Sequence, residues 1–134
     1  MDRIKKSAYG QTSFQQLLGH NRNILTKWTD LGDELEKDGS LSAQLKEQVR
    51  RSLAQQNHCE YCKAKGGPNT AIFDEKTSLA VGFAEVVVKQ NGKMSEPMFA
   101  VLKEGFSDKE ISELCAFICF TIGQQYFGAV MGIR

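Results

Sequence analysis

Residues 107–122 read SDKEISELCAFICFTI, and this stretch decides the fold class. Ser107 and Glu110 have the spacing of a capping box, which predicts that a helix begins here. From Cys115 to Ile122 the predicted helix is apolar on almost every side. Such a helix lies either at the centre of a core or beneath another subunit. Several further phenylalanines in this small chain also need cover, so we expect the protein to oligomerise through this helix.

The rest of the chain repeats apolar residues every three or four positions, which is the spacing of buried helix faces. The stripe of Leu41, Leu45, Val49 and Leu53 is expected to face inward. The other apolar residues at helical spacing are Phe14, Leu17, Leu18, Ile24, Leu25, Trp28, Leu31, Leu35, Leu79, Ala80, Phe83, Ala84, Val87, Ile111, Leu114, Cys115, Ile118, Ile122, Tyr126 and Val130. Ser40, Asp74 and Ser95 are each predicted to cap the N-terminus of the helix that follows them. The β-like run at 86–88 is too short to form a sheet, so the predicted class is all-α.

Charge and composition narrow the possible partners. The chain carries 17 basic and 16 acidic residues, a formal net charge of +1. This balance gives no electrostatic case for nucleic acid or an anionic membrane as a partner. No apolar run follows the N-terminal charges, and we expect no stretch to approach the roughly 20 apolar residues of a membrane span. We expect a cytoplasmic protein with a flexible arm at 1–12 and one non-repeated domain at 13–134.

The most reactive motif is Cys59-Glu60-Tyr61-Cys62. Two thiols at CxxC spacing can form a disulfide across one helical turn and can be reduced again. In a cytosolic protein this spacing indicates redox chemistry first, half of a metal site second and a structural bridge last. A thiolate attacks a peroxide or a disulfide, and the neighbouring thiol then captures the oxidised sulfur.

Glu47 is a candidate partner of these thiols if the chain reverses. On one unbroken helix it would lie about 18 Å from Cys59. The polar run at 55–58 permits a reversal, which would bring Glu47 near residues 62–66. There the carboxylate can accept or relay a proton. An ion pair with Arg51, one turn along the helix, is the simpler alternative.

Two other features have both a functional and a structural interpretation. His58 adjoins Cys59, where an imidazolium can lower the thiol pKa, although a solvated loop histidine is the simpler reading. Cys115 and Cys119 share a helical face and are expected to pack as small apolar side chains. The alternative, a four-thiolate zinc site with the CxxC pair, fits poorly because such sites usually draw on two CxxC turns. We therefore expect no metal.

The spacing of Glu47 and Cys59-x-Tyr61-Cys62, with eleven residues between the acid and the first cysteine, resembles that of the carboxymuconolactone decarboxylase family. The likeness is to its alkyl hydroperoxidase D-like (AhpD-like) branch and covers about residues 14–131. Supporting segments are LGHN within 17–21, LKEQVRRSLAQ at 45–55, LAVGFAE at 79–85 and GFSDKEI at 105–111.

The resemblance implies an all-helical homo-oligomer, a trimer or hexamer, with thiol peroxidase activity. By position, Cys62 would attack the hydroperoxide, Cys59 would be the resolving and more exposed thiol, and Glu47 would belong to a proton relay. The reductant would be a dithiol of lipoyl, thioredoxin or glutathione type. The resemblance implies no metal and no organic cofactor.

The chain departs from the family pattern at the relay. Gly66 stands where the family has a histidine four residues after the second cysteine, and Tyr61 replaces the histidine found between the cysteines in AhpD itself. General-base assistance is worth roughly 10²–10⁴-fold, so a weak peroxidase using water or Tyr61 is expected. The alternatives are a non-catalytic redox sensor and a dithiol/disulfide oxidoreductase. A muconolactone decarboxylase is less favoured because that reaction needs no thiol pair.

Overall fold

The computed structural model describes residues 3–134, which contain seven α-helices and no strand. The helices are α1 (Ser13–Leu18), α2 (Arg22–Glu36), α3 (Ala43–Gln56), α4 (Glu60–Lys63), α5 (Glu75–Lys89), α6 (Glu96–Gly105) and α7 (Asp108–Met131), with a 3-10 turn at Thr70–Ile72. The expected all-α class is confirmed.

Side-chain caps fix most helix starts. Asp74, Ser95 and Ser107 each accept a hydrogen bond from the first turn of their helix, as predicted. The prediction for α3 was wrong by two residues, because Ser42 rather than Ser40 caps it by accepting from the Leu45 backbone N–H at 3.1 Å. The intervening Leu41 is buried ahead of the helix, which therefore begins two residues later than predicted.

The main core lies between α3, α5, α6 and α7. The apolar stripe predicted for α3 is buried there as expected, and α7 contributes its first three turns. The fully or nearly fully buried members are Leu41, Leu45, Val49, Leu53, Ala80, Val81, Phe83, Ala84, Leu102, Phe106, Ile111, Leu114, Phe117 and Ile118. A second, smaller cluster joins α1 and α2 to the end of α7 through Phe14, Leu17, Leu18 and Ile133.

Four residues of the predicted apolar helix faces are exposed. Ile24 and Leu31 of α2 are 51% and 50% exposed, and Tyr126 and Val130 of α7 are 55% and 62% exposed. Within residues 3–134 no element covers these positions, because each helix already packs through its other face. The apolar pattern therefore predicted the helices correctly but predicted too much burial within one chain.

A buried ion pair joins the start of α3 to α7. The Lys46 side chain is 2% exposed, and its ammonium lies 3.1 Å from a Glu113 carboxylate oxygen. Glu113 also accepts the backbone N–H groups of Ser40 and Leu41. Partial burial would raise the pKa of Glu113, but these hydrogen bonds outweigh it and lower the pKa. The pair therefore ties the first turn of α3, and the loop before it, to α7.

Helix α7 has 24 residues, and its most apolar window has a mean hydropathy of 1.4, with a third of that window buried. By length and composition it meets the requirement for a membrane span, which corrects the expectation that no stretch approaches it. The core helix of a soluble protein meets the same requirement, and α7 carries Glu113, whose carboxylate pairs with Lys46 of α3.

The predicted arm at 1–12 begins with Met1 and Asp2, which lie outside the described residues. From Arg3 onward the segment contacts the domain. The Arg3 guanidinium donates to the Val130 carbonyl at 2.6 Å, and the guanidinium of Arg22 lies 4.2 Å from the centre of the Tyr9 ring. These contacts link the segment to α2 and to the end of α7.

Candidate functional site

The candidate site is built where the chain reverses after α3. The helix ends at Gln56, and His58 has a φ of 54°, in the left-handed region. This conformation turns the chain so that Cys59 can cap the short helix α4. The reversal expected from the polar run at 55–58 is thus present, and α4 packs beside both α3 and α7.

A buried pair of amides holds the reversal against α7. The Asn57 side chain donates to the Gln125 carbonyl oxygen at 2.7 Å, and Gln125 donates in turn to the Arg50 backbone carbonyl at 3.2 Å. Asn57 and Gln125 are 3% and 2% exposed, so each hydrogen bond replaces water that the groups have lost. The contacts fix α4 relative to both long helices.

Cys59 and Cys62 form a disulfide, with their Cα atoms 5.2 Å apart. The backbone N–H of Cys62 also donates to the Cys59 sulfur at 3.2 Å. The two sulfurs thus have the proximity that reversible dithiol chemistry requires. This arrangement follows locally from the start of α4, because position 59 is the cap and position 62 the third helical residue.

The two sulfurs differ in access. Cys59 is 0% exposed, whereas Cys62 is half-buried and lines a pocket. The resemblance implied that Cys59 would be the more exposed thiol, and the structure reverses that expectation. The reason is α7: a Cβ atom on Gly128 would lie 2.5 Å from the Cys59 sulfur, so this sulfur rests directly on the helix backbone.

The pocket beside Cys62 has a volume of about 420 Å³. Its apolar wall includes Phe14, Leu18 and Trp28. Its polar lining includes Asp33, Glu36, Arg50, Tyr61, Lys65, Thr121, Gln124 and Gln125. The Trp28 indole donates to Gln124 at 3.1 Å, which orients one wall. A small organic molecule can therefore reach the Cys62 sulfur along a surface that is apolar on one side and polar on the other.

Glu47 is joined to the site through Arg50. Arg50 donates to both carboxylate oxygens of Glu47, at 2.7 and 3.1 Å, and to the Cys62 carbonyl at 3.2 Å. Arg51 donates to the same carboxylate at 3.0 Å, as the ion-pair alternative predicted. Partial burial would raise the pKa of Glu47, but the hydrogen bonds from the two arginines outweigh it and lower the pKa to about 2. Glu47 is consequently ionised at neutral pH and holds Arg50 in place.

Among the acids that line the pocket beside Cys62, Glu36 has a pKa above its ordinary value. Partial burial of its carboxyl raises the pKa, and the nearby charge of Asp33 raises it further. Lys65 and Arg50 act in the opposite direction but are outweighed. Glu36 lines the same pocket as Cys62.

Of the remaining predicted site residues, Tyr61 lies at the pocket, whereas His58 and Gly66 lie outside it. Tyr61 is 38% exposed and lines the pocket. His58 is exposed at the reversal and is not among the described residues that line the pocket. Gly66 has a φ of 85° and lies in a turn after α4, with open space around a Cβ position. The left-handed backbone favours glycine there, so the absence of the relay histidine accompanies an early end to the helix.

The second pair of cysteines does not join the first. Cys115 is half-buried and Cys119 exposed, and both are free thiols. Burial raises the pKa of Cys115, and Cys119 adds to the effect. Across residues 3–134, no three His, Cys, Asp or Glu side chains are grouped as a metal site requires, so the four-thiolate zinc alternative finds no support.

Sequence reasoning missed three residues that shape the site, namely Arg50, Gln125 and Gly128. The signal for Gln125 was present, because residues 124–125 interrupt an apolar helix with two amides. Arg50 follows Glu47 by three positions, a spacing at which helix side chains meet. Gly128 has no side chain to signal a role, and the sequence did not reveal that its backbone packs against Cys59.

Comparison with known proteins adds no assignment: no family model matches the chain, and no curated protein matches it significantly.

Proposed function

We propose that this protein is a thiol-dependent peroxidase that uses Cys59 and Cys62. The observation that carries the proposal is the position of Cys62, which opens into the pocket while Cys59 lies bonded behind it. A hydroperoxide can reach the first sulfur, and the second is close enough to resolve the oxidised product. The resemblance to the AhpD-like branch points to the same chemistry.

In the proposed cycle the Cys62 thiolate attacks the outer oxygen of a hydroperoxide. The O–O bond breaks, an alcohol leaves, and Cys62 becomes a sulfenic acid. The Cys59 thiolate then attacks the Cys62 sulfur and displaces hydroxide, which becomes water on taking a proton. An external dithiol of lipoyl, thioredoxin or glutathione type reduces the disulfide and completes the cycle.

The leaving alkoxide needs a proton, and Glu47 does not supply it. Its pKa of about 2 keeps the carboxylate ionised; Arg50 donates to both of its oxygens and Arg51 to one of them. We propose that Glu47 instead positions Arg50, whose positive charge favours a thiolate at Cys62. The Tyr61 hydroxyl and water in the pocket are the proposed proton donors, which is consistent with slow turnover.

The proposal is tested by following hydroperoxide consumption by the reduced protein with excess dithiol. We expect several turnovers per chain, and none above background for Cys62→Ser. A double variant, Cys115→Ser/Cys119→Ser, is the matched control and should keep the wild-type rate. Consumption of a single equivalent, followed by arrest, would exclude the peroxidase and favour a redox sensor.

A second candidate is dithiol/disulfide exchange without peroxide turnover. The ion-paired state of Glu47 favours it, since thiol exchange does not need this carboxylate to donate a proton. The same variants distinguish the two functions when a model protein disulfide replaces the peroxide. Rapid reduction of that disulfide, with no peroxide consumed, would select exchange as the function.

We also propose that the protein self-associates through the open face of α7. Exposed residues recur there at alternating spacings of four and three: Ser112, Ala116, Cys119, Gly123, Tyr126 and Val130. This is the spacing of a helix–helix seam, and the small residues among them permit close approach. A groove of about 440 Å³ between α2 and α7, lined by Ile24, Trp28, Leu31 and Phe120, enlarges the uncovered apolar surface.

Self-association is tested by measuring the mass of the protein in solution by light scattering. We expect a homo-oligomer for the wild type and a smaller species for Tyr126→Glu, which places a charge in the seam. Val101→Glu is the control, because Val101 is also exposed but lies on α6. A monomeric wild type, or equal masses for the wild type and Tyr126→Glu, would contradict the proposal.

A further inference from the structure

The pocket reaches only one of the two bonded sulfurs. Cys62 is half-buried and lines the pocket, whereas Cys59 is 0% exposed and is not among its described lining residues. A thiol that arrives from solution must approach a disulfide sulfur closely and must attack along the S–S bond. Access therefore selects the sulfur on which the external thiol becomes attached.

Gly128 packs directly against the buried Cys59 sulfur. A Cβ atom at this position would lie 2.5 Å from the Cys59 sulfur and 3.7 Å from the Cys62 sulfur. The first distance is shorter than any ordinary contact and the second is normal, so the missing side chain specifically accommodates Cys59. The hydrogen bond from Asn57 to Gln125 holds the preceding turn against the same helix.

We infer that the external thiol attacks Cys62 when the pair is reset, and that Gly128 enforces this choice by seating Cys59 against α7. The inference deepens the proposed function, since it assigns the reset to the same sulfur and the same pocket that receive the peroxide. The partner is a dithiol able to place one sulfur inside the pocket. Both half-reactions then compete for one entrance.

The electrons balance in two exchanges. A thiolate of the external dithiol attacks the Cys62 sulfur, the Cys59–Cys62 bond breaks, and its electron pair leaves on Cys59. The backbone N–H of Cys62, which already donates to the Cys59 sulfur at 3.2 Å, stabilises that leaving thiolate. The second thiolate of the dithiol then attacks the dithiol sulfur that is bonded to Cys62, and Cys62 leaves as a thiolate. The dithiol is thereby oxidised by two electrons, and the cysteine pair is reduced.

The test uses the reverse direction of exchange, in which a protein thiolate attacks an external disulfide and the attacking cysteine forms the mixed disulfide. Reduced Cys59→Ser and Cys62→Ser, each combined with Cys115→Ser/Cys119→Ser, present one cysteine apiece to dithiodipyridine. We expect the remaining Cys62 to react roughly 100-fold faster than the remaining Cys59, because a buried thiol reacts only through local opening. Equal rates, or a faster Cys59, would overturn the inference.

Gly128→Ala in the protein that retains only Cys59 tests the role of the glycine. The added methyl group should displace Cys59 from the surface of α7 and raise its rate of reaction with dithiodipyridine at least severalfold. Gly82→Ala, at an exposed helical position with open space, should leave that rate unchanged. An unchanged rate in a folded Gly128→Ala protein would refute the positioning role. The comparison of the two single-cysteine proteins stands even if that variant does not fold. No peroxide is present, so failure here is distinct from failure of the peroxidase.

Discussion

The two cysteine pairs of this protein have similar spacing and opposite surroundings. Cys59 and Cys62 begin a short helix, are bonded to each other and open into a pocket on one side. Cys115 and Cys119 lie one turn apart within a long helix, where both remain free thiols. The first pair has Arg50 and a backbone N–H close by, whereas burial makes the Cys115 thiol harder to ionise.

The difference shows that the start of α4, rather than cysteine content, creates the reactive site. At the cap position the chain leaves the helix, and the cap side chain turns toward the first turn. The sulfur of Cys59 thereby meets Cys62 three residues later. Residues in the middle of a helix have no such freedom, so Cys115 and Cys119 share a face without bonding.

The largest expected effect is that of removing Cys62, compared with removing the second pair of cysteines. Cys62→Ser should reduce both peroxide consumption and thiol exchange to background, because it removes the sulfur that opens into the pocket. Cys115→Ser and Cys119→Ser, alone or together, should leave both rates within about twofold of wild type, because these thiols are expected to take no part in the exchange. Steady-state rates at matched protein concentration measure both effects. A comparable loss in Cys119→Ser would show that the second pair takes part.

A change of intermediate size probes the contact that makes the first pair asymmetric. Gly128→Ala should lower the free energy of unfolding by about 1–3 kcal/mol, because the new methyl group overlaps the Cys59 sulfur. Gly82→Ala should raise the free energy of unfolding by about 0.5–1 kcal/mol, the usual gain from alanine inside a helix. Urea unfolding of the oxidised proteins measures both. A stabilised Gly128→Ala protein would contradict the packing described for Cys59.

A smaller effect concerns access to the second pair. If α7 pairs with another copy, Cys119 is shielded in the assembled protein, and Tyr126→Glu should increase its alkylation rate severalfold. Labelling of Cys62 in the same reduced samples serves as the internal control and should not change. Mass spectrometry of the alkylated peptides measures both. Rapid labelling of Cys119 in the wild-type protein would contradict a seam centred on this face.

The smallest expected effect comes from the acid beside the first pair. The pKa of Glu47 falls from the ordinary 4.5 to about 2 on folding, so its stabilising contribution is present above pH 4.5 and lost as the pH falls toward 2. Glu47→Gln should lower the free energy of unfolding at neutral pH by less than about 1 kcal/mol, because the ion pairs are partly exposed. The difference from wild type should shrink with acidification.

Urea unfolding near pH 7 and pH 3 measures this difference. Peroxide turnover provides the second readout, since an acid with a pKa of about 2 adds no inflection to the rate between about pH 5 and 9. An inflection near neutrality that disappears in Glu47→Gln would show that the carboxylate does relay a proton.

The sequence predicted most of the fold and part of the site. Periodicity and caps were sufficient for the helices, because both are local properties, and the error at Ser40 arose from the buried Leu41 that precedes α3. Periodicity did not predict which apolar faces remain open, as Ile24 and Val130 show, since that depends on whether another element lies opposite.

At the site, too, local features were predicted from the sequence and tertiary contacts were not. The CxxC motif identified both sulfurs, and the polar run at 55–58 correctly predicted the reversal. The accessibility of each sulfur could not be read from the motif, because it depends on Gly128, 66 positions after Cys62 in sequence. Helical spacing predicted the ion pair of Glu47 with Arg51, but it did not predict that Arg50 joins the acid to the Cys62 carbonyl, which is a tertiary contact.

The most direct test of the central claim is the redox state of all four cysteines after a single equivalent of hydroperoxide. Reduced protein would be mixed with peroxide, quenched by alkylation and analysed by mass spectrometry, then treated with dithiol and analysed again. The account predicts a Cys59–Cys62 disulfide that dithiol reverses, with Cys115 and Cys119 still alkylated as thiols. Persistence of Cys62 as a free thiol, or oxidation beginning at Cys119, would contradict it.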